Sequence, residues 1–435
     1  MIHETPSAGA VSDPPLVDVV VIGAGLAGLV AARDLSALGY DVTVVEAAGR
    51  IGGRTYARRL SGQGPLLDFG GTWLLPGDEY TMAELERYRI GTVNSPDIED
   101  FGYAYDQRRS RRRGLLPAEQ AQLDRALAEI DSTPAESGCE VTLDAWLEHS
   151  RLSDSITAWV RGYVKYLYGA DPTELAASTL AGVPACSLAD VDKYDIKIDG
   201  STRSLVEALA DGAQANVLLN WPAESVRHGP GVVTVLNRAG HRRRARAAVV
   251  AAPLNALGDI AFEPPLAGSI ATLAREGHVG HSTKLWIVAT GVRPGLRGLC
   301  PDGPLTYIRW ERELDDDACL LVAFGTDREL GCHDLAATTA ALRLVTPGAT
   351  ALRVDGHDWN SDPWARGSWF CPRPGQLELL SELPTRHGSL VFAGGDLFAA
   401  DPGSIEGAVR SGADAARALA EQLATSQSPM AKDVQ

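Results

Sequence analysis

Residues 17–54 read VDVVVIGAGLAGLVAARDLSALGYDVTVVEAAGRIGGR. Val17 to Ile22 is a short apolar, mainly β-branched run, the pattern of a parallel strand buried on both faces. Gly23, Gly25 and Gly28 follow at G-x-G-x-x-G spacing. Leu26 and Ala27 open a stretch of helical period that continues through Leu29, Val30, Ala32 and Leu35. A second strand, Val42 to Val45, ends in Glu46 and Ala47. Strand, turn, helix, strand and acid are together the unit of a dinucleotide site. Gly23 permits the tight turn, Gly25 lets backbone N–H groups approach a pyrophosphate, and Gly28 lets helix pack on strand. The helix N-terminus favours the phosphate charge. Glu46 falls where a carboxylate accepts hydrogen bonds from ribose hydroxyls.

The stretch that follows narrows the cofactor. Gly49, Arg50, Gly52, Gly53 and Arg54 add more glycines for close approach and two guanidiniums to neutralise a diphosphate. A simple nicotinamide domain has no need of this second clamp. Near the other end, LVFAGGDLFAADPGSIEGAVRSGADAA (390–416) repeats the logic. A buried strand leads to Gly395 and Asp396, then to a helix start at Ser404 and Ile405. Two helix N-termini so far apart in the chain suit a long cofactor such as FAD. The second can face the flavin O2, where negative charge develops on reduction.

Between these ends the pattern is of two interleaved domains. The segments 17–80, 200–262 and 385–424 read as a discontinuous FAD-binding domain. The segments 81–199 and 263–384 read as a substrate domain, the first mainly helical and the second β-rich. Within them, Leu116 to Ile130 has amphipathic helical period, and Thr142 is a predicted N-cap. Residues 1–16 and 425–435 read as disordered tails. The formal net charge of −16 argues against nucleic acid or an anionic membrane as main partner. Two arginine-rich runs, Arg108 to Arg113 and Arg242 to Arg246, read as a solvated loop and hairpin. No run approaches the roughly 18 apolar residues of a membrane span, and no signal peptide is visible. Cys139, Cys186, Cys300, Cys319, Cys332 and Cys371 are scattered without metal-ligand spacing, as are the nine histidines. Reduced thiols, a cytoplasmic location and no metal are expected.

With Gly23, Gly25, Gly28, Glu46, Gly49 to Arg54, Asp68 to Trp73, Lys284, Trp359 to Trp369 and Gly394 to Gly412 in view, the chain resembles the flavin-containing amine oxidase family. The resemblance spans about residues 17–424. EGHVGHSTKLWI, HDWNSDPWARGSW and GSIEGAV are similar to the hydroxynicotine-oxidase type within it, and amide oxidases of secondary metabolism are similar too. It implies an α/β architecture: a Rossmann-like FAD domain of the GR2 type and an α+β substrate domain with a mixed sheet and a helical insertion. It also implies an FAD-dependent oxidase acting on a small amine or amide with O2. The product would be an imine and peroxide, the imine being hydrolysed or trapped by cyclisation. Homodimerisation is an expectation as well. Flavoenzymes acting on carbon–carbon bonds, L-amino acid oxidases and a flavin-free escort protein of the same fold are the competing readings.

The resemblance also implies residue roles. Lys284, in the apolar strand STKLWIVAT, would hold a water against flavin N5. Trp369 would form one wall of an aromatic cage, and the second wall would fall at Ser404, where no aromatic stands. Gly70, Gly71, Thr72, Trp73, Ala223 and Trp359 would join the cofactor site. Covalent members carry a cysteine at the position of Ser368, so the FAD is expected to be non-covalent, with Cys371 as the register alternative. Aligned without gaps, Arg309 and Tyr166 fall at pocket positions. An arginine there suggests a carbonyl or carboxylate on the substrate.

Overall fold

The computed structural model describes residues 2–3, 15–112, 114–132, 140–189 and 196–427. Cys139, Arg113 and most of both expected tails lie outside the described residues. The β-branched strand Leu16–Ile22 lies mid-sheet, with Val42–Val45 on one side and Arg242–Val250 on the other, all parallel. Asn216–Leu218 extends the sheet beyond Val42–Val45, and Leu390–Phe392 pairs in parallel with Arg242–Val250. The hairpin Ala223–Gly229/Val232–Asn237, the strand Ala261–Glu263 and the short strand Ile2–His3 complete nine strands among the described residues. Strands from the start, middle and end of the chain thus share one sheet.

The opening helix, Leu26–Ala37, and the closing helix, Ile405–Gln427, cover one face. They meet backbone to backbone at a glycine: a Cβ on Gly412 would stand 2.3 Å from the Ala27 oxygen. Ile2–His3, expected in a frayed tail, instead pairs in parallel with Val217 and Leu218. The physical reason is the open edge of that strand, which offers unpaired backbone groups. At the other terminus the helix runs on to Gln427, three residues past the expected limit.

A second sheet has seven strands in the order Thr350–Gly356, Thr283–Thr290, Cys319–Gly325, Tyr307–Glu313, Leu296–Leu299, Asp100–Tyr105, Arg108–Ser110. One face packs against helices that include Asp154–Leu167, around Trp159, Tyr163, Trp286 and Tyr307. Thr142 caps the helix Leu143–His149 by accepting from the Ala145 amide at 3.3 Å. The first arginine-rich run is structural in part. Arg109 donates to the Arg343 and Leu344 carbonyls at 2.8 and 2.7 Å, satisfying the end of the helix Leu335–Val345. Arg111 pairs with Asp100 at 2.9 Å. No described helix is long and apolar enough to cross a membrane.

Candidate active site

The opening turn is shaped by backbone clearances. Gly23 has a φ of +105°, and a Cβ there would stand 2.7 Å from the Ala251 oxygen. A Cβ on Gly28 would stand 2.0 Å from the Gly23 oxygen. Gly25 is different: no protein atom lies within 4 Å of where its Cβ would be. Gly394 has the same open space. Glycine where the protein leaves room is what a closely approaching phosphate or flavin requires. Gly25 caps the opening helix and brings no side chain, so Leu26 and Ala27 begin the helix without a side-chain cap. Gly53 crosses directly over, its missing Cβ only 3.3 Å from the Gly25 Cα.

Glu46 accepts from the Ala24 and Ala48 amides at 2.7 and 2.8 Å. Burial pushes its carboxyl above the ordinary value, and the two N–H groups oppose that. The expected ribose acid therefore also ties the glycine turn to the second strand. About half of its roughly four acceptor sites are used. Beside it a cavity opens at the carboxyl ends of the parallel strands, lined by Gly23, Glu46, Ala47, Trp221, Ala223 and Trp364 among others. That edge is where open α/β sheets place their ligands.

Arg50 lies 3.9 Å over the Tyr56 ring and donates to the Gly53 carbonyl at 2.8 Å. Arg54 reaches across the molecule. Its Nη1 stands 2.8 Å from the Asp396 carboxylate and 2.9 Å from the Ser368 carbonyl. Burial pushes the Asp396 carboxyl up, but Arg54, His278 and the Leu254 amide outweigh it and hold it below the ordinary carboxylate range. Ser404 caps the closing helix: its Oγ accepts from the Gly407 amide at 2.7 Å and donates to Asp401. Ile405 packs on Gly71, whose Cβ would stand 3.2 Å from it.

Lys284 is 3% exposed in its strand. It donates to the Gly70 carbonyl at 3.0 Å and to the Thr72 hydroxyl, and lies 4.6 Å over the Trp73 ring. Burial pushes its ammonium down to about 7, against the pull of Asp68 and Glu311. Gly70 is pressed against Arg54, its missing Cβ 1.8 Å from the Arg54 oxygen. Trp359 donates to the Phe69 carbonyl at 3.0 Å. The 68–73 stretch is therefore held by Lys284, Arg54 and Trp359 together.

Next to Lys284 stands a group of rings. Tyr166 stacks on Tyr307 at 3.8 Å, and Phe324 lies 5.6 Å from Trp73 and 6.5 Å from Trp369. Gly169 gives Trp369 its room, since a Cβ there would stand 2.6 Å from the indole. Arg309 is buried, 3.1 Å from Glu311 and 5.6 Å over Trp73. Glu311 also takes Lys197. Ser368 accepts from the Ser282 amide at 3.0 Å, while the buried Cys371 thiol sits against the Tyr168 carbonyl. Lys284, Trp369, Tyr166 and Arg309 thus gather around one aromatic cluster. Tyr307, Phe324, Glu311 and Lys197 escaped notice. The alternation Tyr307, Arg309, Glu311 along one strand was the available signal.

The chain belongs to the flavin containing amine oxidoreductase family, whose model matches residues 26–420. It is 29% identical over 441 residues to a pseudooxynicotine dehydrogenase of Pseudomonas sp, covering 93% of this chain and 86% of that one. It is 26% identical to (S)-6-hydroxynicotine oxidase of Paenarthrobacter nicotinovorans, covering 93% and 99%. Among solved structures, cyclohexylamine oxidase from Brevibacterium oxydans superposes with a TM-score of 0.82 at 26% identity, over 94% of this chain and all of that one. The protein is an amine oxidoreductase with FAD as its cofactor, and the open glycines Gly25 and Gly394 fit that cofactor.

Proposed function

We propose that this protein oxidises a small amine or amide at the carbon next to nitrogen, with O2 as the final acceptor and non-covalent FAD. The observation that carries the reading is the buried Lys284, fixed on the Gly70 carbonyl and the Thr72 hydroxyl beside Trp73 and Phe324. FAD, when bound, would supply the hydride acceptor and the route of the electron pair to O2. The amine loses a hydride from carbon and a proton from nitrogen, giving an imine and hydrogen peroxide. The chain contributes placement and exclusion of water. Trp369, Tyr166 and Phe324 wall the reacting carbon, and Lys284 offers a proton donor or water anchor whose charge is easily changed. Gly25, Arg50, Gly53 and Arg54 would hold the diphosphate, and Glu46 with Ala223 the adenosine. Gly71, Thr72, Gly395, Asp396 and Ile405 would frame the flavin side.

Arg309 favours a substrate that carries a carbonyl or carboxylate, since a guanidinium recognises such groups bidentately. An imine formed from such a substrate is open to an internal nucleophile. The test is the rate of anaerobic flavin bleaching over amines, amino acids and amides, with peroxide measured in air. Bleaching by none of them, with bleaching by a polyene instead, would favour the carbon–carbon class.

A further inference from the structure

We propose that Trp364 and Arg238 form a clasp over the adenosine end of the bound FAD and set the rate at which the cofactor leaves. The proposal rests on the amine oxidase reading, because it requires FAD in the cradle.

The cavity at the carboxyl ends of the parallel strands has a buried floor and an exposed rim. Ile22, Val45 and Trp221 belong to the floor. Arg238 and Asp259, both exposed, and the half-buried Trp364 belong to the rim. Arg238 sits in the turn between the strands Val232–Asn237 and Arg242–Val250. Trp364 sits in the loop that follows Gly356. These two elements approach from different parts of the fold, and the Arg238 guanidinium stands 5.5 Å from the Trp364 ring centre. That is a cation–π contact across the mouth of the cavity.

The loop bearing Trp364 is pinned on both sides. Arg366 grips Asp259 through two nitrogens, at 2.8 and 2.5 Å. His357 pairs with Asp362 at 2.8 Å, and Trp359 anchors on the Phe69 carbonyl. On the floor, Trp221 is 1% exposed and its indole N–H has no hydrogen-bond partner among the described residues. A buried donor left unmade is costly, and a ligand with acceptor atoms relieves it. A purine nucleoside has a flat face for the indoles and ring nitrogens and ribose oxygens as acceptors. Glu46 stands at the same cavity with acceptor capacity to spare for ribose hydroxyls.

The same loop ends at Trp369, in the aromatic cluster. One segment therefore closes the adenosine cavity and builds the substrate wall.

The experiment follows FAD release from the holoprotein by recovery of flavin fluorescence after dilution. It also measures rebinding of FAD and of FMN, which lacks the adenosine, to deflavinated protein. Trp364→Ala and Arg238→Ala are expected to release FAD roughly tenfold faster than wild type, since such contacts act mainly on dissociation. Trp364→Phe keeps a ring and is expected within about threefold of wild type. FMN affinity is expected to be the same in all four proteins. FAD release unchanged in both alanine variants overturns the clasp alone, as does equal loss of FMN and FAD affinity. Flavin that stays with acid-precipitated protein overturns it too, because a covalent cofactor has no release rate. A wild-type protein that neither carries nor binds flavin overturns the oxidase reading and the clasp with it.

Discussion

Arg54, from the first motif of the chain, and Asp396, from the last, meet at 2.8 Å with the carboxylate side chain 2% exposed. The contact joins the two halves of the proposed cofactor cradle. Removing one member of a buried pair leaves an uncompensated charge, at a cost of about 3–5 kcal/mol. Arg54 keeps some access to water, which places the cost near the lower end. Asp396→Asn is therefore expected to lower unfolding stability by about 3 kcal/mol. It should also weaken FAD binding; denaturant titration of holo- and apoprotein reads both. Unchanged stability with normal flavin content would show that the pair is incidental.

The two glycines of the opening turn separate folding from cofactor binding. Gly28→Ala drives a Cβ to 2.0 Å from the Gly23 oxygen and is expected to abolish soluble protein. Gly25→Ala meets nothing in the protein. Its apoprotein should melt within a few degrees of wild type while flavin content falls severely. Loss of fold in Gly25→Ala would contradict the assignment of its open space to the cofactor.

Lys284 has a folded pKa near 7, below its ordinary value of 10.5. Between these values the unfolded chain binds a proton that the native chain does not. Stability from this group therefore rises with pH through that window, and its penalty is complete below 7. Lys284→Met should flatten the rise, so the variant gains most over wild type in melting scans at acid pH. In stopped-flow experiments, loss of this donor is expected to slow reoxidation by about 100-fold while anaerobic reduction changes little. Equal slowing of both half-reactions would count against its role with oxygen.

Much of the cradle was legible because its parts are local. Gly23, Gly25, Gly28 and Glu46 lie in one strand–helix–strand unit, where spacing alone suggests a role for each. The buried strand at Leu390–Phe392 and the helix after Ser404 were equally plain. What stayed hidden is pairwise and long-range. Nothing in the sequence tells that Arg54 chooses Asp396, that Lys284 rests on Gly70 and Thr72, or that Lys197 and Arg309 share Glu311. Ile2–His3 lies in a polar, proline-containing stretch that reads as a tail; its pairing depends on an edge made by residues 216–218.

Arg309 is held by Glu311 on its own strand, so its effect on turnover should be separable from its effect on folding. Arg309→Ala is expected to cut kcat/KM for substrates bearing a carbonyl or carboxylate by about 10²-fold. Amines lacking that group should lose far less. A uniform loss over both substrate types, matched by a lower Tm, would assign Arg309 to the fold.

Ser404 is expected to serve the helix before it serves the pocket. Ser404→Ala loses the hydroxyl that accepts from Gly407 and should cost about 1 kcal/mol. Ser404→Tyr should cost a similar amount and also raise KM for bulky amines, because the second cage wall is expected at this position. Steady-state kinetics over amines of graded size decides between a cap alone and a cap that also keeps the entrance wide.

The backbone contact between Gly412 and Ala27 has a bearing on biosynthesis. A ribosome delivers the first motif early, but Asp396 and the helix that lies against Leu26–Ala37 emerge last. Until then Arg54 lacks the Asp396 carboxylate and one face of the large sheet is only partly covered. A nascent chain cannot retain its prosthetic group, so flavin supply and chaperone capacity at the moment of chain release, rather than translation speed, should govern the yield of yellow protein.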